Sequence, residues 1–211
     1  MGYTHYWRRP EVVDYKTMSA IVEDFKKVLP TIDSAGIELA GGDGSGEAII
    51  TKEIVKFNGK ENCGHAKDDD IGIAWPAKLA GGVGNQFMQD AKVGQWFAGA
   101  ELSTRVCGGD CSHETFYFPR LLKAERWEKP EGGLYFDFTK TAFKPYDLAV
   151  TAFLIIAKKQ LGDQIKVSSD GEVEHWIDAA MICQIELGYG ADVSIDKEGR
   201  INIGRSNEIL Q

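Results

Sequence analysis

The sequence predicts one α/β domain, with a mixed β-sheet flanked by helices and an inserted lobe, and an α+β arrangement is the alternative. Short runs in which apolar and polar residues alternate are separated by longer runs with helical periodicity. The segment 134–171 combines a strand, a buried helix and a second strand within 38 residues. The chain has 211 residues, of which 43% are hydrophobic, and this is ample material for one core.

The central segment begins with a predicted strand in which Leu134, Phe136 and Phe138 form the buried face. Residues 148–161 are apolar on nearly every side, which is typical of a buried helix. At about 1.5 Å per residue this helix is too short to cross a bilayer. A strand at 165–168 and a turn at 169–171 complete the segment.

Lys140, Thr141 and Lys144 lie just before this helix. The free N–H groups and the dipole of a helix N-terminus favour an anion, and the two lysines add positive charge. The pattern therefore predicts a phosphate or carboxylate site, and a solvated turn is the alternative.

The N-terminal third predicts a strand at 3–7 followed by a helix at 12–29 that Pro30 ends. Tyr3, His5 and Trp7 share one face of that strand, which would line a ligand pocket or would be an edge strand with a structural histidine.

A glycine-rich turn, residues 41–46, follows a short strand at 37–39. Its exposed N–H groups, including that of Gly44, could cradle an oxyanion, and a flexible turn is the alternative. Asp43 would bind a ribose hydroxyl or a metal, or cap the turn. Strands are predicted at 49–51 and 54–57, and Asn58-Gly59 predicts a tight turn after them.

Residues 61–111 change in character and predict an insertion or lid, because about 50 residues hold too little apolar material for a separate core. Cysteine and histidine side chains stand at both ends of this insertion: Cys63, His65, Cys107 and Cys111. Four such ligands suit a tetrahedral zinc that would staple the lobe, although their spacing is not that of the common zinc motifs. Free thiols and a surface histidine are the alternative.

The C-terminal half predicts a strand at 113–118, in which Glu114 needs a partner such as Lys140, His5 or a ligand. A helix at 173–187 is predicted to be capped by Ser169 or Asp170. A hairpin is predicted at 193–203.

Composition narrows the function class. The net charge of −8 argues against general nucleic-acid binding, although it leaves room for a local basic pocket. No apolar run suggests a signal peptide or a membrane span, and the four cysteines have no secretory context. The expected location is the cytoplasm.

Several short motifs carry a resemblance: residues 2–7 (Gly-Tyr-Thr-His-Tyr-Trp), 41–44, 114–116, 140–141, 145–147 and 168–171. With these motifs the chain resembles an uncharacterised family of small proteins from phages and bacteria. The resemblance leaves out residues 61–111 and implies no particular activity. It implies a phage or mobile-element origin, the host cytoplasm as location, and a role in host takeover or in countering host defence.

These observations predict a protein that binds, and in a phage would sequester, a small anionic or nucleotide-like molecule such as an immune signal. The ring of the ligand would stack on Trp7 or Tyr146, its phosphate would meet Lys140, and Asp43 or Glu114 would accept hydrogen bonds. The complete predicted ligand site is Thr4, His5, Trp7, Asp43, Gly44, Glu114, Lys140, Thr141, Tyr146, Ser169 and Asp170.

Two other functions remain open at this point. One is a phosphoester or glycosidic hydrolase that uses His5 as acid and base with Asp43 or Glu114. The other is a protein-binding inhibitor that uses Trp75, Trp96 and Phe97 of the lobe. No nucleophile elbow, Walker loop or HExxH motif is present, which favours binding over catalysis.

Overall fold

The computed structural model describes residues 3–67, 70–74, 101–123, 129–196 and 199–203. Helices and antiparallel sheets are mixed along the described chain, which confirms the α/β fold class. The strand pairs between the named strands in these ranges are all antiparallel, so the mixture of parallel and antiparallel pairs that the sequence predicted is not found there. No helix within these ranges is long and apolar enough to cross a membrane.

The three α-helices are α1 (Tyr15–Ser34), α2 (Asp147–Leu161) and α3 (Ile177–Leu187). Helix α1 starts where the carboxylate of Asp14 accepts hydrogen bonds from the backbone N–H groups of Lys16 and Thr17. It continues through Pro30, which was predicted to end it. Burial of Thr31 and Ile32 against the core outweighs the one backbone hydrogen bond that proline removes.

The strands form four antiparallel groups. The first is a three-stranded sheet in the order β8-β1-β9, and the second joins β2, β3 and β7 to β4. The remaining pairs are β5-β6 and β10-β11. The bounds are β1 Thr4–Arg9, β2 Leu39–Ala40, β3 Ile49–Ile50, β4 Ile54–Gly59, β5 Asp70–Ala74, β6 Glu101–Val106, β7 Phe116–Pro119, β8 Tyr135–Lys140, β9 Lys166–Ser169, β10 Val193–Ile195 and β11 Ile201–Ile203.

Helix α2 lies in the centre of the core, as its apolar sequence predicted. Most of its residues are fully buried, and it packs against both α1 and α3. Phe153 contacts the ring of Phe25 in α1 and the rings of Phe116 and Phe118, which belong to the strand Phe116–Pro119. This helix fixes the position of Asp147, which occupies its first turn.

The predicted orientation of β8 was wrong. Phe136 and Phe138 are 46% and 43% exposed, whereas Thr139 is buried. The inner face of this strand instead carries Asp137. Its negative charge attracts the buried guanidinium of Arg9 and raises the pKa of that group. Burial nevertheless lowers the pKa of Arg9 to about 10.

The predicted tight turn at Asn58-Gly59 was also wrong, because both residues belong to β4. The buried Asn58 side chain donates to the carbonyls of Gly42 and His113 and accepts from the N–H of His113. An amide that satisfies three backbone groups stabilises a strand end rather than a turn.

Within the predicted insertion, residues 61–111, strands β5 and β6 pair in an antiparallel ribbon, which we call the neck. Residues 75–100 lie outside the described ranges, and with them lie the predicted contact residues Trp75, Trp96 and Phe97.

Candidate functional site

Four side chains converge where the neck meets the core. Cys63 and His65 precede β5, and Cys107 and Cys111 follow β6. Their ligand atoms, three Sγ atoms and one imidazole nitrogen, all lie within 4.8 Å of one another. All four cysteines of the chain are free thiols, so no disulfide explains this clustering.

The distances within the cluster fit a tetrahedral metal ion. Sγ of Cys107 lies 3.5 Å from that of Cys63 and 3.3 Å from that of Cys111. Nδ1 of His65 lies 3.6 Å from Sγ of Cys107 and 3.4 Å from Sγ of Cys111. Zinc bonds of about 2.3 Å to sulfur and about 2.0 Å to nitrogen separate tetrahedral ligands by about 3.5–3.8 Å. The four separations lie within about 0.5 Å of these values, and no two of the ligand atoms are more than 4.8 Å apart.

Backbone geometry brings the second pair of ligands together. Gly108 and Gly109, between Cys107 and Cys111, have φ of 66° and 80°, which glycine adopts without steric cost. Gly59 lies so close that a Cβ there would be 1.9 Å from the carbonyl oxygen of Cys111. The ammonium of Lys144 donates to the carbonyls of Cys107 and Asp110, the latter at 2.6 Å.

The thiols have unequal acidity. Burial raises the pKa of Cys63, but hydrogen bonds from the backbone of His65 and from the neighbouring thiols and imidazole outweigh it and lower that pKa to about 7. Burial, together with the neighbouring Cys107 and Cys63, raises the pKa of Cys111 above that of an ordinary thiol.

A buried charged network lies beside this cluster. Asp147 is fully buried, and its Oδ1 lies 2.7 Å from Nε2 of His5 and accepts a 2.6 Å hydrogen bond from the hydroxyl of Thr141. Arg105, also fully buried, reaches in from β6 so that one guanidinium nitrogen lies 3.6 Å from both Asp147 and Asp178. Its guanidinium carbon lies 4.2 Å from the ring centre of Phe143.

Opposing effects set the ionisation of Asp147. Burial acts to raise its pKa, but the attraction and hydrogen bond of His5, the charge of Arg105 and the hydroxyl of Thr141 outweigh burial, so the pKa lies below its usual value. The network therefore holds a carboxylate inside the protein and ties β1, β6 and the N-terminal ends of α2 and α3 together.

Sequence reasoning missed three members of this network: Arg105, Asp147 and Asp178. Asp147 had been noted only as part of a resemblance, and Arg105 lies near the end of the predicted insertion, residues 61–111. The sequence did contain a signal for this network. Asp147 stands in the first turn of a helix that is mostly apolar, and an acid that is buried in such a helix indicates that it has polar or charged partners.

The structure brings several predicted ligand residues into pairs. The N–H of Thr4 donates to Asp170 at 3.1 Å, and the N–H of Lys140 donates to Glu114 at 2.9 Å. The ammonium of Lys140 also lies 3.7 Å from Glu114, which answers the need of that acid for a partner. Ser169 accepts from the N–H of Gly171 at 2.9 Å.

The prediction that Ser169 or Asp170 caps the last helix was wrong. A 3₁₀ turn, Val173–Trp176, precedes α3, and its capping box is formed by Glu172 and His175. Asp170 instead binds Thr4 and the hydroxyl of Tyr6, which joins the turn after β9 to β1.

Other predicted residues do not face a common cavity. Trp7 packs against Phe116 in the core and Tyr146 is buried, so neither ring can stack on a ligand in this structure. Asp43 accepts from the N–H and hydroxyl of Ser45 and caps its own turn, which lowers the pKa of that carboxyl. Gly44, with φ of 81°, lies in that turn.

His5 and Lys140 lie on opposite faces of the same sheet. Thr4 pairs with Lys140 and His5 pairs with Thr139 across β1 and β8, and successive side chains of a strand point to opposite sides. His5 is buried against Asp147 and Trp176, whereas the ammonium of Lys140 lies near the exposed ring of Phe138. The shared hollow predicted for these two residues is therefore absent from the described part of the chain.

The solvent side of the β8-β1-β9 sheet is rich in aromatic and basic side chains, and we call it the outer sheet face. The rings of Tyr6 and Phe138 flank that of Phe136, with centroids 6.1 and 5.9 Å away. A groove of about 510 Å³, part of it open to solvent, runs along this face. The residues that form the face are Tyr6, Arg8, Phe136, Phe138, Lys140, Lys166, Ser168 and Arg200.

Comparison of the chain with protein-family models, with curated proteins and with solved structures finds no match. The resemblance to a phage and bacterial family therefore stays a prediction.

Proposed function

We propose that Cys63, His65, Cys107 and Cys111 bind one zinc ion, and that this ion fastens both ends of the neck to the core. The observation that carries the proposal is the convergence of four ligand atoms within 4.8 Å from two segments about 40 residues apart. Three thiolates and one imidazole are a ligand set of structural zinc. Four protein ligands leave no open position, so the proposed role is structural rather than catalytic.

Charge supports the choice of ion. A Zn²⁺ ion with three thiolates carries a net charge of −1, and the ammonium of Lys144 donates to the carbonyls of Cys107 and Asp110 beside it. Loss of a partner that orients the ligands typically lowers metal affinity by about 10- to 100-fold. Lys144 would thus stabilise the metal-bound form.

The first experiment measures metal content by mass spectrometry on the purified full chain, refolded with excess zinc and then dialysed. We expect about one zinc per chain for the wild type and far less for Cys111→Ala. Cys183→Ala is the matched control, because Cys183 is a buried cysteine in the core, outside the cluster. Cobalt substitution should give the visible absorption of tetrahedral thiolate coordination, and a wild type that stays empty under these conditions would end the proposal.

A second candidate function is the binding of a nucleotide-like ligand, and the outer sheet face favours it over the cavity first expected. Rings that are almost half exposed can stack on a base, and cations beside them can bind phosphate. In the described ranges, Lys166 and Arg200 lie on this face without an ion pair at 4 Å or less, whereas Arg8 pairs with Glu131 at 3.1 Å. Binding of an immune signal by a phage protein remains a proposal built on this candidate.

Incubation with a nucleotide panel, followed by heat denaturation and analysis of the released ligand, tests the second candidate. Recovery of an intact nucleotide supports sequestration, and recovery of an altered one supports the hydrolase alternative. Lys140→Ala should weaken an anionic ligand by about 1.5–3 kcal/mol, the scale of a charged hydrogen bond. If no nucleotide is retained at any concentration, the inhibitor alternative becomes the better one.

A further inference from the structure

We infer that the outer sheet face binds an extended single strand of nucleic acid, with successive bases on successive rings. The inference rests on the second candidate function and names its ligand class. It depends on three features of the face: the regular spacing of its rings, the position of its cations, and the openness of its groove.

The rings and cations stand in register across the three strands. Tyr6 pairs with Phe138 on one side and Ser168 on the other, and Arg8 pairs with Phe136 and Lys166. The two rows are two residues apart along each strand, or about 7 Å. That spacing is about twice the 3.4 Å rise per nucleotide of a duplex strand. Bases placed on both rows would be separated from each other and stacked on protein rings, which is how single strands are bound.

The cations occupy both ends of the row of rings. Lys140 lies near Phe138, and its ammonium is 5.8 Å from the centre of that ring. Arg8 lies 5.1 Å from the centre of the Phe136 ring, with Lys166 beside it. An exposed contact between a cation and a ring is weaker than the stacking of a base on that ring. An arriving base would displace each cation from its ring. Lys140, now 3.7 Å from Glu114, and Arg8, now 3.1 Å from Glu131, would then exchange these carboxylates for the neighbouring phosphates.

Local charge differs from that of the whole chain. The groove is lined by three cations, Arg8, Lys166 and Arg200, and one acid, Glu131, although the net charge of the chain is −8. The acidic remainder of the surface repels a polyanion that is attracted by charge alone. A ligand that also offers rings gains stacking on this face, so the face favours such a ligand. Part of the groove is open to solvent, so an extended chain can enter it.

The experiment uses fluorescence anisotropy with a labelled hexamer of uridylate or thymidylate and the full chain. Phe136→Leu and Phe138→Leu keep an apolar side chain but remove the ring, and each should weaken binding by about 5- to 150-fold. Tyr117→Leu is the matched control, since Tyr117 is similarly exposed but belongs to β7 on another sheet, and it should leave binding unchanged.

Salt dependence supplies an independent readout. For a single strand the slope of log affinity against log salt is about −0.7 for each phosphate neutralised. Two to four cations therefore predict a slope of about −1.4 to −2.8, and Lys166→Gln should make it about 0.7 shallower. Circular dichroism confirms that each variant is folded.

The outcomes separate the inference from the function on which it rests. Tight binding of the hexamer with weak binding of the mononucleotide and of a duplex supports it. Equal affinity for the hexamer and the mononucleotide overturns the inference but keeps the nucleotide-binding candidate, whereas binding of neither overturns both. If heparin binds as tightly as the hexamer and the two leucine variants leave its binding unchanged, the face attracts polyanions by charge alone. That result would also overturn the inference.

Discussion

Replacement of Arg105 by methionine tests the buried network most directly. The side chain is fully buried, with one guanidinium nitrogen 3.6 Å from Asp147 and 3.6 Å from Asp178. Methionine fills similar space but leaves two carboxylates without this cation. Removing one partner of a buried ion pair costs about 3–5 kcal/mol, because the remaining charge is stranded away from water.

We expect the lower end of that range, about 3 kcal/mol, because Asp147 keeps the hydrogen bonds of His5 and Thr141. For a chain of this size, that loss lowers the midpoint of thermal unfolding by about 6–12 °C. Typical stabilities of about 5–15 kcal/mol leave the variant folded at room temperature.

Equilibrium urea unfolding at several pH values is the assay. The pKa of Asp147 is lowered in the folded state, so its contribution to the free energy of unfolding is present above the unfolded pKa of about 3.9 and is lost as the pH falls through the folded pKa. The difference between wild type and variant should therefore be largest near neutral pH and should shrink below about pH 4.

Arg120→Met is the control, since Arg120 pairs with the exposed Glu53 at 2.8 Å, and it should cost less than about 1 kcal/mol. If the Arg105 variant loses no more stability than this control, or if its deficit is independent of pH, the network does not stabilise the fold as argued.

Three further predictions concern single contacts. Gly59→Ala should reduce the zinc retained after dialysis against a chelator, because its Cβ would displace the carbonyl of Cys111, while Gly42→Ala, which meets mainly a flexible lysine end, should retain it. Lys144→Met should weaken zinc binding by about 10- to 100-fold in a competition titration, and an unchanged affinity would remove it from the site. Asp14→Ala should lower the free energy of unfolding by about 0.5–2 kcal/mol in a urea titration through loss of the α1 cap, and no loss would contradict the capping geometry.

The sequence was sufficient where one periodic signal dominated. The apolar run of α2 predicted a buried helix, and the structure confirms it, because burial removes the apolar surface on all sides of the helix from water. The two Cys/His segments also predicted a common metal site, and the fold does bring their side chains together. The spacing of the ligands in the sequence could not show that the two segments meet, because the pairing of β5 with β6 joins residues that are distant in sequence.

Prediction failed where a distant partner decided the outcome. The phenylalanines of β8 alternate as a buried face would, yet Asp137 occupies the inner side because the buried Arg9 lies there. Similarly, Asn58-Gly59 has the composition of a turn, but the amide of Asn58 serves Gly42 and His113, which are distant in sequence. In both cases the partner that decides the outcome is distant in sequence, so local periodicity carries no sign of it.

Strand β6 leaves the neck with two attachments in succession, Arg105 in the carboxylate network and Cys107 in the Cys/His cluster. They respond to different agents, because acid weakens the first by protonating its carboxylates and chelators weaken the second by removing a proposed ion. A chelator alone should therefore leave β6 anchored at Arg105, and acid combined with a chelator should unfold this region more completely than either treatment. Hydrogen exchange along β6 under the four combinations would show whether the two anchors are redundant.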